Sequence, residues 1–302
     1  MSDPQRPADF AYASSDQFTH RNWMGNVPII DALTLGELVL PGAHNAGMDL
    51  DAWYLPGLVS NWVACQNNSF LDQLNNGARA LDLRIVQLPG DNCLFQHNSI
   101  FSSRALSSLI EAVNEFLSAN PDEFIVLDFH EMRASVSDFD AAEFSRVMSA
   151  GLGERMIPAR NNHLTLGQLK KASAVQRLMV STEVDIDGEG FNPKVQHEWS
   201  GIAVTTPDEL HRFISGVMLS PPRKRLPWSL SATCYAVLGG PVDIQEKLNE
   251  WFDPARTDWA SKCSIINADF FEESKLVQYC RTANVVKAWS KVNTTTQYDH
   301  SN

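Results

Sequence analysis

Apolar and polar positions along the chain alternate between two periods. Residues 37–43 form an apolar run broken by Pro41-Gly42, which predicts a buried strand that delivers His44 and Asn45 into a loop closed by Gly47. Residues 66–76 place Phe70, Leu71 and Leu74 at helical spacing and stop at Gly77. Over 78–86 the period becomes two: Leu81, Leu83 and Ile85 face one way, Ala80, Asp82 and Arg84 the other. Residues 91–97 predict a short strand ending in Gln96-His97. Residues 104–119 predict a helix with Leu109, Ala112, Val113, Phe116 and Leu117 on one stripe. Residues 123–130 are almost continuously apolar, as in a strand covered on both faces.

The rhythm continues to the C-terminus. Helices predicted over 138–152, 166–172, 207–216, 243–252 and 272–289 alternate with strands over 174–182, 199–205, 228–238 and 261–271. About eight strands in alternation with helices predict an α/β fold, a TIM-type (β/α)8 barrel, irregular or incompletely closed. A doubly wound open sheet is the alternative, but neither GxGxxG nor GxxxxGK[ST] follows the first strand. The expected organisation is an N-terminal arm over residues 1–30 anchored by Trp23-Met24, one catalytic barrel over 31–290, and a tail over 291–302.

Composition narrows the chemistry. A hydrophobic content of 44% over 302 residues suffices for a large core. The net charge of −12 comes from dispersed carboxylates, which argues against a nucleic-acid partner and against stable anchoring on an anionic membrane. The one basic cluster, Arg223-Lys224-Arg225, reads as a solvated loop. Five scattered cysteines without a CxxC pair fit free buried thiols in a reducing compartment. With no secretory leader and no apolar run of about eighteen residues, a cytoplasmic monomer is expected, with export by a signal-less route as the alternative.

A lone histidine after a turn reads first as a structural cap on a neighbouring carbonyl. Here, however, His44, Asp82 with Arg84, His97, His130 and Asp269 each fall at or near the C-terminal end of a predicted strand, and in a barrel those ends share one mouth. Two imidazoles with an arginine between them suit phosphoryl transfer. One removes a proton from an attacking hydroxyl, the other protonates the departing oxygen, and the guanidinium stabilises charge on the phosphate. A carboxylate beside the base would hold its tautomer, and Asp269 is the candidate. A metal site from the same residues is the alternative, although no His-x-His or His-x-x-x-His spacing supports zinc, and no Gly-x-Ser-x-Gly supports a serine hydrolase.

Residues 40–47 (LPGAHNAG), 77–84 (GARALDLR), 95–97 (FQH) and 116–123 (FLSANPDE) follow the order and spacing of the X domain of phosphatidylinositol-specific phospholipases C. The bacterial single-domain enzymes are the closer likeness, strong over residues 23–131 and resuming weakly at 264–270. The resemblance implies His44 as general base on the inositol 2-hydroxyl and His97 as general acid. It implies Arg84 on the phosphate, Asp82 supporting the acid, and Asp269 paired with the base. It implies cleavage through a cyclic phosphodiester, with a phospholipid or glycerophosphodiester as substrate, transient membrane contact, and no nucleotide or redox cofactor.

The departures from the family pattern are specific. His44-Asn45 is also the pair of the calcium-dependent eukaryotic enzymes, in which the asparagine binds Ca2+, so a Ca2+ site from Asn45 and Asp82 is the alternative. Against it, Ala80-Leu81-Asp82 lacks one acidic ligand and Arg84 would repel the ion, so a metal-free site is expected, with Asn45 on the substrate. Of the inositol-binding set, the fourth-strand lysine is replaced by His130, read here as a substrate contact, and the fifth and sixth strands lack their counterparts. Membrane contact would fall to the Trp53-Tyr54-Leu55-Pro56 or Trp228 loops. A catalytically silent headgroup-binding barrel is the alternative from another functional class.

Overall fold

Leu40–Ala43 (β1) is buried at all four positions because it has a strand on each side. The computed structural model describes residues 19–55, 62–90, 92–136, 138–201, 204–223, 225–236 and 240–299. Residues 1–18 of the expected arm, 300–302 of the tail, Pro56 and Lys224 lie outside them. In chain order the main strands are β1, Ala80–Leu88 (β2), Asn92–His97 (β3), Ile100–Ala105 (β4), Ile125–Ala134 (β5), Leu178–Thr182 (β6), Phe191–Pro193 (β7), Gln196–Glu198 (β8), Trp228–Ser231 (β9) and Ile265–Ala268 (β10).

Parallel pairing runs β8-β9-β10-β1-β2-β5-β6-β7. Its two ends, β7 and β8, are separated in sequence by Lys194-Val195 alone, so one bent segment pairs with β6 through its first half and with β9 through its second. This is the irregular TIM-type barrel, with helices such as Leu106–Ala119, Ala141–Leu152 and Pro207–Leu219 between the strands. Each of those helices buries one apolar stripe, and Thr206 closes a capping box with Glu209 at the start of the last. Gly42 is required by the close approach of strands: a Cβ there would stand 2.7 Å from Ile265 Cγ2.

Three expectations change. Residues 92–97 of the expected strand do form one, but β3 runs antiparallel to β2 and belongs to a hairpin outside the parallel ring. Asn98 and Ser99 turn that hairpin with φ of 48° and 69°, the left-handed pair a tight two-residue loop needs. Of the strand expected over 199–205, residues 202 and 203 lie outside the described residues; the strand in this region is the earlier Gln196–Glu198, where His197 meets Asp128. The last helix, Leu276–Asp299, also continues through most of the segment expected as a tail.

The end of the barrel opposite the site is closed by charge. Arg79 and Glu123, just before β2 and β5, form an ion pair at 2.6 Å with both side chains excluded from solvent. The guanidinium lies 4.7 Å from the Phe116 ring centroid and 5.7 Å from that of Trp23. Glu123 also accepts the Gly25 N–H at 2.7 Å, and Trp23 Nε1 donates to the Gly77 carbonyl at 3.1 Å. A pair this buried is tolerated only because its remaining hydrogen-bonding capacity is satisfied in this way.

Candidate active site

Strand register brings the site together. Ala43 sits opposite Ala268, so the next residues, His44 and Asp269, leave the sheet side by side. On the other flank Ala43 opposes Leu81, which places Asp82 beside His44, and Asp82 in turn opposes Asp128 on β5. His97 arrives from the β3–β4 hairpin. The Cβ that Gly47 lacks would collide with Phe95 at 2.2 Å, so the loop carrying His44 packs directly on the strand that carries His97.

His44 Nδ1 is 2.7 Å from Asp269 Oδ1, and Arg84 Nη2 is 2.9 Å from His44 Nε2. A guanidinium has donors only, so Nε2 is the acceptor and Nδ1 carries the proton that it donates to Asp269. The lone pair a general base needs is therefore on the nitrogen that faces Arg84. Arg84 also donates to Asp82 at 3.2 Å, and Asn267 Nδ2 donates to the same carboxylate at 3.0 Å. Burial would raise the Asp82 pKa, but Arg84 and then His130, His44 and His197 outweigh it and hold the carboxyl well below the usual range. Asp82 thus orients and charges Arg84; it makes no hydrogen bond to His97.

His97 has a different environment. Burial, followed by the positive fields of Arg84 and His44, lowers its pKa to about 4, and the Val63 carbonyl only partly offsets this. It is neutral at pH 7 before any anion is bound. Adjacent Gln96 donates to Glu131 at 3.0 Å, which ties the hairpin to β5.

These groups line a cavity of about 670 Å3 whose far wall carries a second polar set. His197 Nε2 is 2.6 Å from Asp128 Oδ2, and the His130 ring stacks on His197 at 3.9 Å between centroids and 19° between planes. Burial lowers the His130 pKa to about 3, so it stays neutral. Burial would also lower that of His197, but Asp128 prevails and raises it. Lys194 and Trp199 complete this wall.

Of the residues expected at the site, His44, His97, Arg84 and His130 line the cavity, while Asp82 and Asp269 stand behind them. Asn45 does not reach it: the residue is fully buried, its backbone takes a left-handed φ of 46°, and neither amide atom has a hydrogen-bond partner among the described residues. Trp228, expected in a surface loop, is a buried barrel residue, whereas Trp53, Leu55, Trp62 and Trp199 are exposed. His197, Lys194 and Tyr235 are the site residues that sequence reasoning missed. The alternating Val195-Gln196-His197-Glu198 was the available signal, but three residues are too few for a strand to declare itself.

Two groups bring three metal-ligating atoms within 4.8 Å of one another: His44, Cys65 and Asp269, and Asp128, His130 and His197. In the first, His44 Nδ1 and Asp269 are already occupied with each other. In the second, His197 Nε2 and Asp128 Oδ2 are already engaged with each other at 2.6 Å. Calcium fits Asn45 and Asp82 poorly. Ca2+ takes about six to eight oxygens, Ala80 supplies none from its side chain, and Arg84 already occupies an Asp82 oxygen.

No protein-family model matches the chain. It is 30% identical over 122 residues to the 1-phosphatidylinositol phosphodiesterase of Listeria monocytogenes, covering 40% of this chain and 36% of that protein. It is 27% identical over 169 residues to the human PI-PLC X domain-containing protein 2, with 54% of that protein covered. The chain thus spans about half or less of these relatives. The bovine PI-PLC X domain-containing protein 3 is 23% identical over 315 residues, which take in 90% of this chain and 96% of that one. Among solved structures, the phosphatidylinositol-specific phospholipase C of Listeria monocytogenes superposes with a TM-score of 0.66 at 16% identity, covering 87% of this chain and 99% of that one. A Staphylococcus aureus structure gives 0.64 at 13% identity, covering 87% and 97%. The resemblance to PI-PLC X domain proteins and the TIM-type fold stand on these matches.

Proposed function

We propose that this chain, similar in sequence to PI-PLC X domain proteins and in fold to bacterial phospholipases C, is a phosphodiesterase that cleaves a phospholipid of the phosphatidylinositol type. The supporting observation is the proton arrangement at His44: Nδ1–H on Asp269 and an unprotonated Nε2 that accepts from the Arg84 guanidinium and exchanges that contact for the substrate hydroxyl when phosphate engages Arg84. A phosphate bound at Arg84 has an imidazole lone pair next to it and a second imidazole, His97, across the cavity. His44 Nε2 removes the proton of a headgroup hydroxyl adjacent to the phosphate. The hydroxyl oxygen attacks phosphorus, Arg84 stabilises the equatorial oxygens, and His97 delivers a proton to the departing lipid oxygen. The products are a cyclic phosphodiester and a lipid alcohol. Binding of the anionic substrate raises the low pKa of His97 and so loads the acid.

The reaction as drawn uses no metal, since the positive charge beside the phosphate is Arg84, which Asp82 holds in its charged form. Trp53, Leu55, Trp62 and Trp199, which are among the exposed apolar residues, offer a transient contact with the lipid surface. No helix among the described residues is long and apolar enough to cross a membrane. The test is 31P NMR of products from a panel of phospholipids and glycerophosphodiesters, with and without chelator, for the parent and His44→Ala. A cyclic phosphate from the parent alone, insensitive to chelator, is expected. Undiminished turnover by His44→Ala would refute the assignment.

A further inference from the structure

His97 has no carboxylate at ion-pair distance among the described residues, so some other contact must fix its ring. Tyr235 supplies one. Its ring meets His97 edge-on at 5.7 Å and 75°, and meets His44 edge-on at 6.1 Å and 78°. One phenol therefore touches both imidazoles in the geometry that aromatic quadrupoles favour. It belongs to neither histidine's element: it lies beyond β9, in a two-residue strand, Tyr235–Ala236, paired with Gly240–Pro241.

The phenol is itself tethered. Its hydroxyl lies 3.0 Å from Cys65 Sγ, and Cys65 is completely buried. The Cys65 backbone is fixed at both ends, its N–H donating to Met48 O at 2.7 Å and its carbonyl accepting from Phe270 N at 2.8 Å, one residue past Asp269. Sγ is within 4.8 Å of the donor atoms of His44 and Asp269. The same short loop supplies the Val63 carbonyl to His97. Burial keeps the thiol and the phenol protonated, so neither competes for the proton that His44 and His97 exchange with substrate.

We propose that the Tyr235 ring, edge-on to both imidazoles, is the spacer that fixes the distance and relative ring planes of His44 and His97, with the hydroxyl contact to Cys65 a secondary support. The inference rests on the phosphodiesterase reading of the cavity, in which base and acid stand on opposite sides of one phosphorus atom. Tyr235 and Cys65 are positioning residues: they move no proton and act through the two histidines. A misplacement of about 1 Å at such a site costs about 10²-fold in rate.

Tyr235→Leu removes the aromatic edge contact with both histidines, Tyr235→Phe keeps the ring and removes the tether, and Cys65→Ser keeps a hydrogen-bonding partner. Tyr235→Leu is expected to lower kcat by about 30-fold or more with KM changed by less than about threefold. Tyr235→Phe and Cys65→Ser are expected to stay within about fivefold of the parent. The 15N imidazole resonances of His44 and His97, assigned by single substitution, are expected to shift together in Tyr235→Leu and hardly in Tyr235→Phe. A folded Tyr235→Leu protein with unchanged imidazole resonances overturns the spacer, as does one whose kcat stays within threefold of the parent. The parent's own turnover and its loss in His44→Ala judge the phosphodiesterase reading separately, and the resonances report on the spacer whatever the substrate proves to be.

Discussion

Asp269→Asn isolates the group that holds the base. The side chain stays the same size and the Nδ1 contact at 2.7 Å can persist, but the charge is lost. When His44 takes the substrate proton it becomes an imidazolium against a carboxylate at that distance. Coulomb's law at an effective dielectric of about 20 gives roughly 6 kcal/mol of attraction. The amide retains part of this as a neutral hydrogen bond, so a loss of about 3–5 kcal/mol is expected in the transition state, or about 10²- to 10⁴-fold in kcat. A second effect acts in the same direction. Asp269 Oδ2 has no hydrogen-bond partner among the described residues, so an amide that turns its NH2 toward Nδ1 is opposed chiefly by the Arg84 donation to Nε2. That would move the proton to Nε2, where it faces Arg84. The assay is steady-state cleavage of phosphatidylinositol in mixed micelles, with circular dichroism to verify folding and KM expected within about threefold of the parent. A folded Asp269→Asn protein whose kcat stays within tenfold of the parent would show that the carboxylate does not orient the base.

Arg84→Lys keeps the charge but replaces a fork that reaches both His44 and Asp82 with a single ammonium; kcat/KM should fall by about 10²-fold or more, and a loss under fivefold would remove Arg84 from the phosphate. Glu123→Gln leaves Arg79 charged in a dry site far from the cavity. It should cost about 3–5 kcal/mol in urea unfolding, with kcat unchanged at temperatures where the protein stays folded. Acid should destabilise the fold through His97. With its pKa near 4 when folded and about 6.5 when unfolded, the unfolded chain binds more protons between those values. Its contribution, on the order of 3 kcal/mol, is present above pH 6.5 and lost as pH falls toward 4. His97→Gln should flatten the fall of Tm over that window, and an unchanged slope would contradict the shift.

Much of the site was legible because strand ends are legible. Pro41-Gly42 before His44 marks where a chain leaves the sheet, the Asp82-x-Arg84 alternation marks one face of a strand, and parallel register brings the two together. The pairing of His44 with Asp269, 225 positions apart, could be inferred because both follow short buried runs. The far wall was not legible. β7 and β8 are three residues each, too short for any hydrophobic period, and His197 is placed by Asp128 instead of by local propensity. Tyr235 was hidden for a related reason: it follows β9 without a break in polarity, so the sequence reads as one longer strand. Asn45, expected on the substrate, is instead fully buried on a left-handed turn, a conformation that a residue pattern does not reveal.

The bent segment that joins the ring divides the cavity into two kinds of wall. His44 and Asp269 stand just beyond β1 and β10, each paired in parallel with a neighbour on both sides, and Arg84 stands on β2 just past a register shift in its parallel pairing with β5. Lys194 and His197 sit at the one join, which is held by three register pairs on each side. On the proposed phosphodiesterase reading, replacements at that join are expected to alter what the cavity admits while leaving His44 and Arg84 in place. The reacting side chains and the selecting wall are then separable, and residues 191–198 are the place to graft a different specificity.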